Sequence, residues 1–232
     1  MTLTQQMTSD ISIIVPTLNE ALNLPGLLPA AQKVTELIVV DGGSSDNTVF
    51  VAKELGFRVI EETGPGGRGK QLNTGAANAS GSLLLFLHAD TLLPLDFSNA
   101  VSTCLSNSEN ILGSFRLQVI DSGMLLKLVL LFTNIRSKFL QLPYGDQSFF
   151  ISKQDFMEIG GFPEVPIMED YIFVKQAKKK GRVVTLHQEV ITSARRWQRL
   201  GVLRTTVTNQ LIVLGYYLGI KPEKLAAFYR KK

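Results

Sequence analysis

The 232-residue chain holds a single cysteine, Cys104, which excludes a disulfide framework and any zinc cluster built on thiolates. No stretch reaches the roughly 18 uninterrupted apolar residues of a membrane-spanning helix. The nearest, Met124 to Phe132, is short and broken by Lys127. The first ten residues are polar and lack the basic start of a secretory signal. Charge is also scarce, at 19% of residues against about 25% in an average globular protein. With 45% hydrophobic residues and no repeat or low-complexity tract, a disordered chain is excluded. Twenty-four Lys and Arg against 20 Asp and Glu leave a net charge of +4. That excess suits anionic ligands or an acidic membrane surface and is too weak to imply nucleic acid. A cytoplasmic location is expected, with room for a peripheral seat on the inner face of the membrane. Two stretches bear on that seat. One is Met124 to Phe132; the other is Leu211 to Ile220, followed by Lys221, Lys224, Arg230, Lys231 and Lys232. Each reads either as a buried core helix or as an amphipathic surface resting on a membrane.

What the chain has is alternation. Strands are expected at Ile11 to Val15, Leu37 to Val40, Phe57 to Ile60 and Leu83 to Leu87, with helices at Ala21 to Lys33, Asp46 to Leu55 and Gln71 to Ala79. Continuous apolar strands separated by helical patterns indicate an α/β fold, its mostly parallel sheet covered on both faces. Ligands of such sheets sit outside the carboxyl ends of the strands. Here those ends carry Pro16 to Glu20, Asp41 to Asp46, Glu61 to Lys70 and His88 to Asp90. Beyond Asp90 the alternation breaks. Strands are expected at Ile111 to Ile120, Gln147 to Ile151 and Arg182 to Leu186. Helices are expected at Leu125 to Leu140 and Asp170 to Lys180, with a long one from about Leu200. The division that follows is a disordered tail over 1–10 and one domain over 11–232. Within it, 11–91 is a nucleotide-binding half and 92–232 an acceptor half, on one continuous sheet.

One loop supports competing readings. Gly64-Pro-Gly66-Gly-Arg-Gly69 satisfies G-x-G-x-x-G, with Asp90 about 20 residues on, as in a dinucleotide fingerprint. Gly64-x-x-x-x-Gly69-Lys70 is also a P-loop that lacks only its Ser/Thr, because position 71 is Gln71. A flexible glycine-rich surface loop is the plain alternative. Both motifs normally open the nucleotide-binding unit at its first strand, whereas two strand–helix units precede this loop. A phosphohydrolase and a non-catalytic nucleotide-binding module are the rival functions. Arg68 and Lys70 suit phosphate under any reading.

Five blocks point elsewhere. They are Ile-Val-Pro16-Thr17-Leu-Asn19-Glu20, Val-Val-Asp41-Gly-Gly-Ser-Ser-Asp46, Arg68-Gly-Lys70-Gln-Leu-Asn73, Leu-Phe-Leu-His88-Ala-Asp90 and Gly160-Gly161-Phe162-Pro with Met-Glu169-Asp170. In this order they resemble the family-2 glycosyltransferases. Tyr144-Gly-Asp146-Gln147 and Ser193-Ala-Arg195-Arg196-Trp197 further resemble a small bacterial subgroup labelled arsenosugar-biosynthesis-type glycosyltransferases.

The resemblance implies a GT-A fold, a nucleotide-sugar donor (a UDP-sugar above all), Mn²⁺ or Mg²⁺, and a small-molecule or lipid-linked acceptor. Asp41 then matches the residue that bonds the base, although an Asx turn would also place it there. Pro16, Thr17, Asn19 and Glu20 match the loop around base and ribose; Glu20 could equally be a first-turn helix charge. Asp46 reads as a helix cap. Asp90 matches the metal-binding carboxylate. His88 replaces the first Asp of D-x-D, where it could reach the ribose or the metal, or be a satisfied structural histidine. Gly42 stands where many members carry a second Asp. Asp170 matches the base that takes the acceptor's proton; Glu169 beside it points elsewhere on a helix start. Arg195, Arg196 and Trp197 could hold the diphosphate and stack on a sugar, or form a solvated basic face. Asp146 and Gln147 are expected near the acceptor. His187 could reach the metal or be structural.

Overall fold

A computed structural model describes residues 9–62, 64, 67–120 and 123–230. Its centre is one eight-stranded sheet. The first four strands are β1 (Ser9–Thr17), β2 (Val34–Asp41), β3 (Arg58–Glu61) and β4 (Leu83–Phe86). The others are β5 (Thr91–Leu92), β6 (Asn110–Val119), β7 (Phe149–Ser152) and β8 (Arg182–Thr192). Their spatial order is β3-β2-β1-β4-β7-β6-β8-β5. The first four run parallel, β7 opposes both β4 and β6, β8 is parallel to β6, and β5 opposes β8. Parallel pairings predominate, and both halves of the chain share the sheet.

The unbroken apolar strands follow from burial on both faces. Ile11, Ile13 and Val15 enter one core layer with Leu37, Val39 and Leu85. Ile14 enters the other with Ile38, Val40, Leu84 and Phe86. This is the two-residue period of a strand with each face buried. Helices α4 (Phe97–Leu105) and α5 (Met124–Leu140) cover the first layer through Phe97, Val101, Leu126 and Leu130. Helices α3 (Gly67–Asn78), α6 (Lys153–Ile159) and α7 (Glu169–Ala177) cover the second. There Phe86, Phe156, Phe162 and Phe173 form one aromatic cluster, with Phe162 and Phe173 centroids 4.2 Å apart.

Several expectations need correction. The helix expected over Ala21 to Lys33 is a 3-10 turn at Leu24–Leu27 followed by the short α1 (Leu28–Ala31). Pro25 and Pro29 lack the N–H groups a continuous helix would use. Strand β1 starts at Ser9, inside the segment expected as tail; residues 1–8 lie outside the described residues. Between β2 and β3, α2 spans Thr48–Glu54. The single helix expected from about Leu200 is two, α9 (Val202–Tyr217) and α10 (Pro222–Arg230), and an unexpected α8 (Arg195–Leu200) precedes them. Gly201 and Gly219, both at positive φ, separate them. Strand β8 runs six residues past Leu186, and β5, α4 and α6 were not anticipated.

Candidate active site

A cleft of about 760 Å³ opens at the carboxyl ends of β1, β2 and β4, where an open α/β sheet binds ligands. It is lined by Pro16, Thr17, Glu20, Arg68, Lys70, His88, Asp90, Asp146, Glu169, Asp170, Arg196 and Trp197, among others. Twelve of the residues expected at the site therefore share one space.

Asp41 is different: it is 2% exposed and does not line the cleft. Its Oδ1 accepts hydrogen bonds from the Thr17 and Ser44 hydroxyls, and its Oδ2 from the backbone N–H groups of Gly43 and Ser44. Four donors use the acceptor capacity of one carboxylate. In this conformation Asp41 is an Asx-type staple holding the 41–44 turn, and a base N–H would have to displace one of those donors. Asn19 plays the matching part. In left-handed geometry at φ 58, its Oδ1 accepts from the Ser45 and Asp46 backbones. The first two blocks thus interlock side by side. Asp46 accepts from the Thr48 backbone at the start of α2, but it stands one residue ahead of the N-cap, which is Asn47 and not Asp46 as expected.

The glycine-rich segment forms no phosphate cradle among its described residues; Pro65 and Gly66 lie outside them. Arg68, Gly69 and Lys70 occupy the first turn of α3. A Cβ on Gly69 would lie 2.5 Å from the Pro163 carbonyl oxygen, so glycine is required there by packing. Lys70 Nζ pairs with Glu62 at 2.8 Å, which raises the lysine pKa and lowers the glutamate's. With Lys70 held by Glu62 and a glutamine at position 71, the described residues lend the P-loop reading no support. Gln71, the residue that spoiled that motif, ties the ends of β1 and β2 together. Its Nε2 donates to the carbonyls of Thr17 and Val40 at 2.9 and 2.8 Å. A Cβ on Gly42 would come within 2.9 Å of that amide, so the missing second Asp and Gln71 occupy the same space. Asn73 exchanges two hydrogen bonds with the Phe162 backbone, 89 residues away, joining the third block to Gly160-Gly161-Phe162.

Asp90 and Glu20 converge on one guanidinium. Arg195 Nη2 donates to Asp90 Oδ2 at 2.9 Å and to Glu20 Oε2 at 3.2 Å, which raises the arginine pKa. Its neighbour Arg196 stacks over the Tyr229 ring, 4.2 Å from the centroid.

Asp170 lies at the start of α7. Its Oδ2 accepts from the Gly145 N–H at 2.8 Å and its Oδ1 from its neighbour Tyr171 N–H. A Cβ on Gly145 would stand 3.3 Å from Asp170 Oδ2 and 3.6 Å from His88 Nε2, so the carboxylate and imidazole flank the same point. Burial, with Arg68 adding to it, lowers the His88 pKa to about 3; the ring is neutral at physiological pH. Burial pushes Asp146 up to about 6, with Asp170 adding to the rise and Arg136 opposing it. Its Oδ1 is buried without a hydrogen-bond partner. Glu169, 3.8 Å from Arg68, is raised by burial and by Asp170. Met168, just before these acids, adopts left-handed geometry at φ 72, a strain of about 1–3 kcal/mol for a residue other than glycine. Its side chain is buried with Ile212 of α9 and Leu225 of α10, so the C-terminal helices clamp the turn that presents Asp170.

Besides Asp41, Asn19 and Arg195, two further expectations fall outside the cleft lining. Gln147 is fully buried; its Nε2 donates to the Phe115 carbonyl and the Ser137 hydroxyl, and its Oε1 accepts from the Tyr144 N–H. With both ends engaged it is a core support and not an acceptor contact. His187 is exposed on β8 and does not line the cleft. Conversely, the cleft wall includes Tyr229, which no motif marked, and Tyr144, which opens the Tyr144-Gly-Asp146-Gln147 motif without a role of its own there. Arg136 braces Tyr144 with its guanidinium 3.4 Å from the ring centroid.

Comparisons with known proteins agree with this architecture. The family model described as glycosyl transferase family 2 matches residues 12–156. The chain belongs to that family. A PGL/p-HBAD biosynthesis glycosyltransferase of Mycobacterium tuberculosis is 42% identical over 91 residues, covering 35% of this chain and 36% of that relative. The match thus spans about a third of the curated relative's length. Glucosyl-3-phosphoglycerate synthase from M. tuberculosis superimposes with a TM-score of 0.65 at 21% identity, over 91% of this chain and 81% of that one. The mannosyltransferase PcManGT from Pyrobaculum calidifontis, solved with GDP-Man and Mn²⁺, gives 0.63 at 21% identity, over 79% and 56%. These neighbours establish the GT-A fold. The narrower arsenosugar-type resemblance gains no support from them.

Proposed function

We propose that this protein transfers a sugar from a nucleoside-diphosphate donor, a UDP-sugar in the first instance, to an acceptor hydroxyl with inversion at the anomeric carbon. The observation that carries this reading is the single cleft that Asp90 and Asp170 both line. One carboxylate suits the diphosphate side of the reaction and the other the acceptor side.

The residues fit a divalent cation. Among the described residues no group of three His, Cys, Asp or Glu side chains could hold a metal. Mg²⁺, however, typically takes one or two carboxylates and completes its shell with substrate phosphates and water. Asp90, with Glu20 beside it, supplies such a set, and the Arg195 guanidinium already sets one positive charge between them. Bound by Asp90, Mn²⁺ or Mg²⁺ would supply Lewis-acid neutralisation of the departing diphosphate.

The chain's own groups do the rest. Asp170 takes the acceptor proton as its oxygen attacks the anomeric carbon. The Gly145 and Tyr171 N–H groups each engage one carboxylate oxygen of Asp170, which keeps further acceptor capacity on both. His88, neutral, can donate a single hydrogen bond without adding charge beside Asp170. Arg68, Arg195 and Arg196 are the cations available to the diphosphate. Trp197 offers an aromatic face to a sugar.

The test is a thermal-shift panel of UDP-, GDP- and CDP-sugars with and without Mn²⁺, followed by an assay of nucleoside-diphosphate release from the stabilising donor. Ligand that binds only the folded state raises stability by RT ln(1 + [L]/Kd). UDP-sugars should raise the melting temperature, and more so with Mn²⁺. Stabilisation by GDP-sugars alone would reassign the donor. Binding without turnover in any acceptor mixture would favour a non-catalytic nucleotide-binding module.

A further inference from the structure

We propose that helices α5 and α9 dock this protein on a bilayer surface that carries anionic lipid. Both helices leave an apolar stripe in solvent. On α5 the stripe comprises Met124, Leu128, Leu131, Phe132, Ile135 and Phe139; Met124 is 89% and Phe139 71% exposed. On α9 it comprises Leu203, Val207, Leu211 and Leu214. The spacings of three and four residues place each set on one helical face. The opposite faces are occupied: Leu126 and Leu130 of α5 enter the core, and Ile212 of α9 packs on Met168 and Tyr171. The two helices touch each other, so the stripes lie on neighbouring elements. Isolated exposed leucines need no explanation, but neighbouring helices that both expose this much apolar surface mark a binding face.

Charge identifies the occupant. Of the 24 Lys and Arg, 12 lie in residues 123–140 and 193–232, against one acidic residue there, Glu223. The rest of the chain carries the other 12 with 19 acids. Three of these, Arg136, Arg195 and Arg196, are engaged at the cleft by Tyr144, by Asp90 and Glu20, and by Tyr229; the other nine still outnumber the one acid of these segments, inside a protein whose remainder is net negative. Lys127 and Lys138 lie on α5 itself and are exposed. Apolar residues entering the acyl boundary, flanked by long cationic side chains at headgroup level, form the arrangement of an interfacial helix. Nucleic acid would leave the apolar stripes without a partner. A second copy of the chain would set two positive faces against each other. No helix of the described residues can cross a membrane, so the contact lies in the plane of the surface. Helix α9 also lines the cleft, through Thr205, Asn209 and Val213. If the sugar-transfer reading holds, the cleft therefore opens beside the bilayer, where a lipid-borne acceptor would be met.

Vesicle co-sedimentation tests the docking without donor or turnover, so its result does not depend on the reaction. Vesicles of phosphatidylcholine alone are compared with vesicles containing about 30% phosphatidylglycerol. The protein should partition onto the anionic vesicles at least about tenfold more strongly. Raising NaCl from about 0.1 to about 0.5 M should weaken the binding, because electrostatic attraction is screened. Phe132→Glu, at an exposed position, should lower the partition constant about tenfold, the effect of a charge entering the apolar boundary, with circular dichroism and melting temperature unchanged. Equal partition onto neutral and anionic vesicles, or no sedimentation with either, would overturn the proposal whatever the variant does. So would a concentration-dependent dimer, dissolved by Phe132→Glu, in a protein that binds no vesicles.

Discussion

Asp146→Asn should stabilise the protein in a way that depends on pH. Asp146 lies in the cleft wall, its Oδ1 buried and without a partner. Burial raises its pKa from 3.8 to about 6, against the attraction of Arg136 and with the repulsion of Asp170. The folded protein therefore keeps a proton at Asp146 that the unfolded chain has already lost. Between about pH 4 and pH 6 the native state binds more protons than the unfolded state, so stability falls as pH rises through that window. Above it the full cost of the buried charge is present. At 1.36 kcal/mol per pH unit the shift corresponds to about 3 kcal/mol. Asparagine keeps the shape and cannot ionise. The measurement is chemical denaturation of both proteins at steps from about pH 4 to about pH 7.5. The difference, variant minus parent, should be small near pH 4 and grow by about 3 kcal/mol towards pH 7. Titrating groups that do not interact with Asp146 cancel in that difference. A difference that is flat with pH, or one that shrinks as pH rises, would refute the argument. It would mean that solvent or a cation reaches Asp146 and offsets its charge.

Three other outcomes follow from the site. Asp170→Asn should bind UDP with near-parental affinity by calorimetry and lose about 10²–10⁴ in kcat, because the amide keeps the Gly145 contact but cannot accept the proton; near-normal turnover would move the base to Glu169 or Asp146. Arg195→Ala frees Asp90 and Glu20 from their shared guanidinium. Exposed pairs are worth about 1 kcal/mol or less, so Mn²⁺ affinity of the nucleotide-free protein, read by electron paramagnetic resonance, should rise by up to about fivefold; unchanged or weaker binding would place the cation away from Asp90. Gln71→Ala leaves the Thr17 and Val40 carbonyls without their side-chain donor and should cost about 1–3 kcal/mol in denaturant unfolding; a change below about 0.5 kcal/mol would show that water replaces the amide without loss.

The strands of the first half were legible because each is buried on both faces, and that condition writes itself as consecutive Ile, Val and Leu. The motif order also marked most of the cleft, since the residues at the carboxyl ends of β1, β2 and β4 follow directly from where the apolar runs stop. Less legible was which polar residues face the ligand and which hold the frame. Asp41, Asn19 and Gln147 look like binding groups because they are polar residues inside motifs. The structure gives them other work: each has its acceptors, and Gln147 its donors, engaged by neighbouring backbone and hydroxyl groups. A carboxylate that reads a base and one that staples a turn carry the same letter and differ only in their partners. Long-range pairs were equally hidden. Nothing in residues 1–100 announces that Arg195 will reach Asp90 from 105 positions away, or that Asn73 will hold Phe162. The first turns of α3 show why the third block reads as a unit. Within six residues, Arg68 approaches Glu169, Gly69 admits the Pro163 carbonyl, Lys70 holds Glu62, Gln71 joins β1 to β2 and Asn73 fixes the turn at Phe162. A change at any of these positions disturbs a different wall of the same cleft. The block is a constraint on assembly first, and the ligand contacts it offers, Arg68 and Lys70, are set in place by that assembly.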